Sequence, residues 1–288
     1  MLRSVIMAAA ALVAAASGAM AETPAIAQTP IERGSYLVSA VMACDGCHTP
    51  RPGGVFDMTK RFSGGSQVWD EAAYTVRGSN ITPDRETGIG SWSEADLKRF
   101  LTEGVRPSGV HVAPQMPFVF YKVLTARDLD AVVAFVRSVA PQRKEVPPPV
   151  YKAAMRYETI PGADKPFTDE ALGDPVKRGF YLATIAHCME CHARHPDGTP
   201  GYKDSFGKGG HLMTGPWGQT VAANITSHPT KGIGKWTDAE IKRVLREGIG
   251  RDGRTLKQPM ARQIYFSKMT DDDVDAIVAW VRTIPPLE

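Results

Sequence analysis

The sequence predicts an all-α fold, built as a tandem pair of helical domains joined by a proline-rich linker. Three observations carry that expectation. Apolar residues recur at helical spacing on either side of the midpoint, and the motifs of the first half return in the second at a fixed offset. Between the halves lies a stretch rich in proline with no sustained apolar period.

The repeat is read directly from matched segments. Arg33-Gly34-Ser35-Tyr36-Leu37 returns as Arg178-Gly179-Phe180-Tyr181-Leu182, and Asn80-Ile81-Thr82 returns as Asn224-Ile225-Thr226. Gly88-Ile89-Gly90-Ser91-Trp92 matches Gly232-Ile233-Gly234-Lys235-Trp236, and Glu103-Gly104 matches Glu247-Gly248. From Cys44 to Tyr121 the offset is constant at 144 residues.

Each unit reads as three helices joined by long loops. The first helix runs from about Glu32 into residues 44–48, and its twin from about Val176 into residues 188–192. The second opens on a capping box, Ser93 with Asp96 or Thr237 with Glu240, where side chain and backbone at the helix start satisfy each other. Leu97, Phe100 and Leu101, matched by Ile241, Val244 and Leu245, give it one apolar face. The third opens at Thr125 with Asp128, or Thr270 with Asp273. Its stripe is Leu129, Val132, Val133 and Val136 in one copy and Val274, Ile277, Val278 and Val281 in the other.

These boundaries divide the chain into residues 1–21, 29–140, 141–175 and 176–288. Residues 1–21 read as a cleaved secretory signal: Arg3 is the basic start, Val5 to Ala16 the apolar run, and Ala19-Met20-Ala21 the cleavage site before Glu22. No later run is long and apolar enough to span a bilayer, so no transmembrane anchor is expected after cleavage. The expected location is the periplasm. Residues 141–175, with Pro147-Pro148-Pro149, form a linker long enough to wrap along one domain. A formal charge of +3 without a dense Lys/Arg run argues against nucleic acid as a partner.

The chemistry begins at Cys44-Asp45-Gly46-Cys47-His48, which recurs as Cys188-Met189-Glu190-Cys191-His192. C-x-x-C-H is the pattern of covalent c-type haem attachment. Two thiols one helical turn apart reach the two vinyl groups of one porphyrin, and the adjacent histidine turns under the ring as iron ligand. The two copies use all four cysteines of the chain. Two disulfides would explain an even count in a secreted protein but not the histidine after each pair. A zinc ribbon would set its cysteine pairs about 15–20 residues apart, far closer than Cys47 and Cys188. The sequence therefore calls for two covalently bound haem c groups.

His48 and His192 fill one axial position of each iron. Met116 and Met260 are the only methionines at equivalent positions, each 68 residues after its histidine and in a proline-marked loop between the second and third helices. His/Met ligation fills both axial positions, which suits electron transfer and disfavours substrate binding at iron. The remaining methionines read as core filler or surface residues. His111, five residues before Met116, is the alternative ligand on the first iron; His187, His195, His211 and His228 read as exposed or hydrogen-bonded. Trp92 and Trp236, with Asn80 and Asn224, are candidate neighbours of the haem propionates, simple packing being the equal reading. Arg33 and Arg178 are weaker candidates for the same role. Gly248-Ile249-Gly250-Arg251-Asp252-Gly253 fits a dinucleotide-binding pattern but follows a helix, not a strand, and reads as a turn.

With these residues in view the chain resembles dihaem class I c-type cytochromes. In particular it is similar to the cytochrome c subunits of bacterial periplasmic alcohol, gluconate and aldehyde dehydrogenases. The resemblance rests on both C-x-x-C-H motifs, both Asn-Ile-Thr and Gly-Ile-Gly-x-Trp segments, and the loops of Met116 and Met260. It implies thioether bonds at Cys44, Cys47, Cys188 and Cys191, proximal ligands at His48 and His192, and distal ligands at Met116 and Met260. Those subunits typically carry three haems and a membrane-binding tail, whereas two motifs stand here. The expected function is single-electron transfer from a periplasmic dehydrogenase to a downstream cytochrome or terminal oxidase, without catalysis of its own. The rivals are a dihaem peroxidase, which would need an open iron, and a permanent subunit of a dehydrogenase complex. A thiosulfate dehydrogenase of the dihaem kind would use a further cysteine ligand, and no fifth cysteine exists.

Overall fold

A computed structural model describes residues 28–215 and 217–288. The signal segment lies outside them. Helix α1 (Pro30–Tyr36) starts on a capping box from Thr29 and Glu32, with Pro30 in the first turn, where no N–H is required. It runs on as a wider turn over Leu37–Val41. The chain then breaks at Ala43, which takes a positive φ of 55°, and re-enters helix as α2 (Asp45–His48). Helix α3 (Glu94–Glu103) has the Ser93/Asp96 box and ends on Gly104 in left-handed conformation, and α4 (Ala126–Ser138) follows from Thr125.

The second set repeats the first: α5 (Pro175–Ile185), a break at His187 (φ 47°), α6 (Met189–His192), α7 (Asp238–Glu247) ending on left-handed Gly248, a short α8 (Gln263–Phe266), and α9 (Asp271–Val281). The expected single helix entering each motif is thus two helices. Positive φ costs any residue with a Cβ, and alanine and histidine give no sequence signal for it.

Two helix crossings hold the units. Gly34 of α1 lies against α4: a Cβ there would meet the Ala131 carbonyl oxygen at 2.0 Å. Gly179 of α5 meets α9 the same way, its added Cβ falling 1.9 Å from the Ala276 oxygen. Only glycine allows backbones this close, and Phe135 and Trp280 close over the two crossings.

The expectation of little strand needs qualification. Hairpin β1 (Val68–Asp70)/β2 (Tyr74–Arg77) recurs as β4 (Leu212–Gly215)/β5 (Gly218–Val221), and their registers correspond, Val68 opposite Arg77 and Leu212 opposite Val221. A further strand, β3 (Val150–Tyr151), pairs with β2 and makes the first sheet three-stranded. It comes from residues 141–175, which run as a strap over the first set of helices. Lys144 donates to the Gly64 carbonyl at 2.7 Å, Tyr157 to the Val112 carbonyl at 2.7 Å, and Ile160 and Ala163 are buried.

The two sets pack together across a reciprocal junction. Tyr36 of α1 donates to the Asp273 carboxylate of α9 at 2.6 Å, and Tyr181 of α5 donates to the Asp128 carboxylate of α4 at 2.7 Å. Asp128 is also held by both Arg33 donors at 2.8 Å, while Arg178 reaches Asp273 at 3.6 Å. Each carboxylate thus takes an arginine from its own unit and a tyrosine from the other. Phe120 against Tyr202 and Phe56 against Tyr265 extend the contact, and one apolar core continues through it. Among the described residues no helix is long and apolar enough to cross a membrane.

Candidate functional site

Each motif sits on the tight turn that follows a positive-φ break. Cys44 and Cys188 cap the short helices α2 and α6, with Cys47 and Cys191 one turn on. None of the four thiols is in a disulfide. Burial pushes all four thiols up, Cys47 and Cys188 to about 11, Cys44 and Cys191 to about 12.

His48 and His192 are buried, and each ring is fixed by one bond. The Nδ1–H of His48 donates to the Ser79 carbonyl at 2.7 Å, and that of His192 to the Ala223 carbonyl at 2.7 Å. Ser79 and Ala223 precede Asn80 and Asn224, so the repeated Asn-Ile-Thr segment supplies the carbonyl in both units. Burial lowers both histidines below the ordinary imidazole range, against the pull of those bonds. The rings are therefore neutral, with the proton on Nδ1 and a lone pair left on Nε2. That is the donor state a metal ligand needs.

The asparagines have another job than the one expected of them. Asn80 accepts from Thr82 N and Oγ1 and donates to Gln142 O at 2.7 Å. Asn224 accepts from Thr226 and donates to Leu287 O at 2.7 Å. Their amides pin the segment after the last helix of each unit. Arg33 pairs with Asp128, and Arg178 donates to the Asp272 carbonyl and stands 3.6 Å from Asp273. Trp92 stacks edge-on against Phe100 at 5.3 Å, and both Trp92 and Trp236 pack on the core.

Met116 and Met260 are half-buried and also pack against the core. His111 is exposed, its ring 6.0 Å from that of Tyr157. It therefore lies on the outer side of the Met116 loop. Around the motifs the units differ. In the first, buried Asp45 takes a two-pronged pair from Arg61 and a bond from Thr49. In the second, Met189 stands in its place, and Glu190 pairs with His187 at 2.8 Å. Burial would raise Glu190, but the His187 bond and charge, with Arg194 and Arg262, hold it below the usual carboxylate range.

Residues 176–285 match the family model described as Cytochrome c. The chain carries a cytochrome c domain. It is 31% identical over 283 residues to the fructose dehydrogenase cytochrome subunit of Gluconobacter japonicus, covering 91% of this chain and 54% of that one. It is 30% identical over 274 residues to the alcohol dehydrogenase (quinone) cytochrome c subunit of Gluconobacter oxydans, covering 88% and 55%. A diheme cytochrome c-type protein of Cereibacter sphaeroides is 28% identical over 257 residues, covering 85% of this chain and 83% of that one. The chain thus spans about half the length of the two dehydrogenase subunits. A cytochrome c domain holds haem c covalently. The chemistry here fits that group: unbridged thiols one turn apart beside an imidazole with one nitrogen tied and the other free.

Sequence reasoning missed the junction. Its signal was the tyrosine kept in Arg33-Gly34-Ser35-Tyr36 and Arg178-Gly179-Phe180-Tyr181, which a helix facing only its own unit would not require.

Proposed function

We propose that this protein is a dihaem electron carrier of the periplasm, taking single electrons from a dehydrogenase and delivering them to a cytochrome or terminal oxidase. One observation carries the reading: the cysteine pair, carbonyl-tied histidine and loop methionine occur twice at one spacing. When bound, haem iron supplies a reversible one-electron couple.

The residues take these roles. Cys44 and Cys47 anchor the first haem and Cys188 and Cys191 the second. His48 and His192, tied at Nδ1 by the Ser79 and Ala223 carbonyls, would supply Nε2 as one iron ligand of each haem, and Met116 and Met260 would supply the second. The glycine crossings and the tyrosine–aspartate bonds keep the two attachment turns in fixed relation, which intramolecular transfer needs. The dehydrogenase donor is inferred from the names of the relatives, and the periplasm from the signal segment.

The test is a redox titration of the purified holoprotein by visible and near-infrared absorption, repeated with peroxide and carbon monoxide. Two low-spin haems inert to both reagents are expected. A high-spin haem that turns over peroxide would replace the carrier by a peroxidase.

A further inference from the structure

The repeat allows the surface around each methionine loop to be compared residue by residue. In the first unit that surface is closed. Tyr157 of the strap bonds Val112 O and stacks edge-on against Phe118 at 5.1 Å, and Val112, Ala113 and Phe118 are buried. β3 covers the outer edge of β2 six residues earlier.

In the second unit the same surface is open. Leu256 and Arg262, the counterparts of Val112 and Phe118, are half-buried, and Lys257, the counterpart of Ala113, is exposed. Among the described residues nothing pairs with the outer edge of β5, and Val221 of that strand stands 57% exposed. The charge changes in parallel. Ser91, Pro107, Val110 and Ala113 of the first unit become Lys235, Arg251, Arg254 and Lys257 in the second, all exposed. Glu240 pairs with Arg251 and Asp252 with Arg254, leaving Lys235 and Lys257 without an ion-pair partner among the described residues.

We infer that the face around the Met260 loop is where an acidic-surfaced redox protein docks, so that electrons enter or leave through the second unit. The inference rests on the carrier reading and adds the surface and the partner's charge. Four neutral-to-basic exchanges around one loop, partly offset by Arg106 becoming Gly250 and Ser108 becoming Asp252, leave it about two charges more positive beside an apolar edge. Such a field steers an acidic partner and raises its association rate, while the strap denies the first unit the same contact.

The test compares two charge-reversal pairs in the reduced holoprotein by stopped flow. A small blue-copper protein of strongly acidic surface serves as oxidant, and a basic one as counter-probe. Arg254→Glu with Lys257→Glu alters the proposed face. Arg85→Glu with Lys165→Glu makes the same change in net charge at exposed positions of the first unit and strap. Haem spectra matching the parent establish that both variants are folded. The first pair is expected to slow the acidic probe roughly tenfold at low ionic strength and flatten its salt dependence, the second less than about threefold. Equal slowing by both pairs, or none by either, overturns the inference. The carrier reading stands or falls on the redox titration of the parent, so the two failures are distinguishable.

Discussion

Asp128 is where the junction is most exposed to a single change. Its carboxylate is 3% exposed and holds three donors: Arg33 Nε and one terminal nitrogen at 2.8 Å, and the Tyr181 hydroxyl at 2.7 Å. Asp128→Asn keeps the shape but removes the counter-charge and sets an amide N–H against a donor. Breaking a buried ion pair by removing one partner costs about 3–5 kcal/mol. Arg33 keeps 20% exposure and partial access to water, which places the expected loss near the lower bound, about 3 kcal/mol. The twin provides the control. Asp273 is 12% exposed, its arginine stands off at 3.6 Å, and only the Tyr36 bond at 2.6 Å is short. Asp273→Asn should therefore cost about 1.5 kcal/mol, the loss of one hydrogen bond to a charged group. Urea denaturation of the holoprotein at neutral pH, followed by far-ultraviolet circular dichroism, measures both. A cycle pairing Asp128→Asn with Tyr181→Phe should return a coupling of about 1–2 kcal/mol. If the two asparagine variants agree within about 0.5 kcal/mol, the reasoning from burial and geometry is wrong.

Three further outcomes are expected. Gly34→Ala and Gly179→Ala drive a methyl into the Ala131 and Ala276 carbonyls, and each should lower the urea midpoint by the equivalent of about 1–3 kcal/mol at unchanged m. Met116→His and Met260→His should each lower the reduction potential of one haem and leave the other in place, by a step on the order of a tenth of a volt within the roughly 0.8 V that axial ligands span. Burial, and then the Asp273 carboxylate, pushes the Tyr36 hydroxyl up to about 12. A hydroxyl held protonated in the fold stabilises below its unfolded value of about 10 and loses that contribution as pH rises toward 12. Thermal melts of parent and Tyr36→Phe should therefore differ at pH 9 and converge by pH 12.

What was legible in the sequence was local. The Ser93/Asp96 and Thr237/Glu240 boxes, the apolar stripes and the C-x-x-C-H turns are each decided within a few residues, and they appear where pattern places them. What was not legible depends on residues far apart or on the backbone itself. Val150-Tyr151 is too short to read as a strand and becomes one only because β2 offers an edge seventy-odd residues upstream. The carbonyls of Ser79 and Ala223 carry no side-chain signature, although they decide which nitrogen of each histidine stays free. Asn80 and Asn224 repeat in the sequence, but the backbone they fasten does not show there. A small amide in a repeated loop is as well suited to fastening backbone as to meeting a carboxylate, and only the structure separates the two.

Those asparagines also locate where the two copies part. Each fastens the segment that follows the last helix of its unit, Asn80 at Gln142 and Asn224 at Leu287, by the same bond. Up to that fastening the units are near-duplicates in helices, breaks, hairpins and ligand spacing. Past it, the first unit receives a strap over its hairpin edge and methionine loop, and the second does not among the described residues. Two of the exchanges that distinguish the loops follow the same division: Ala113 and Phe118 where the strap lies become Lys257 and Arg262, while Val112 stays apolar as Leu256. On the proposed docking at the Met260 loop, that difference is what directs a partner to the second unit.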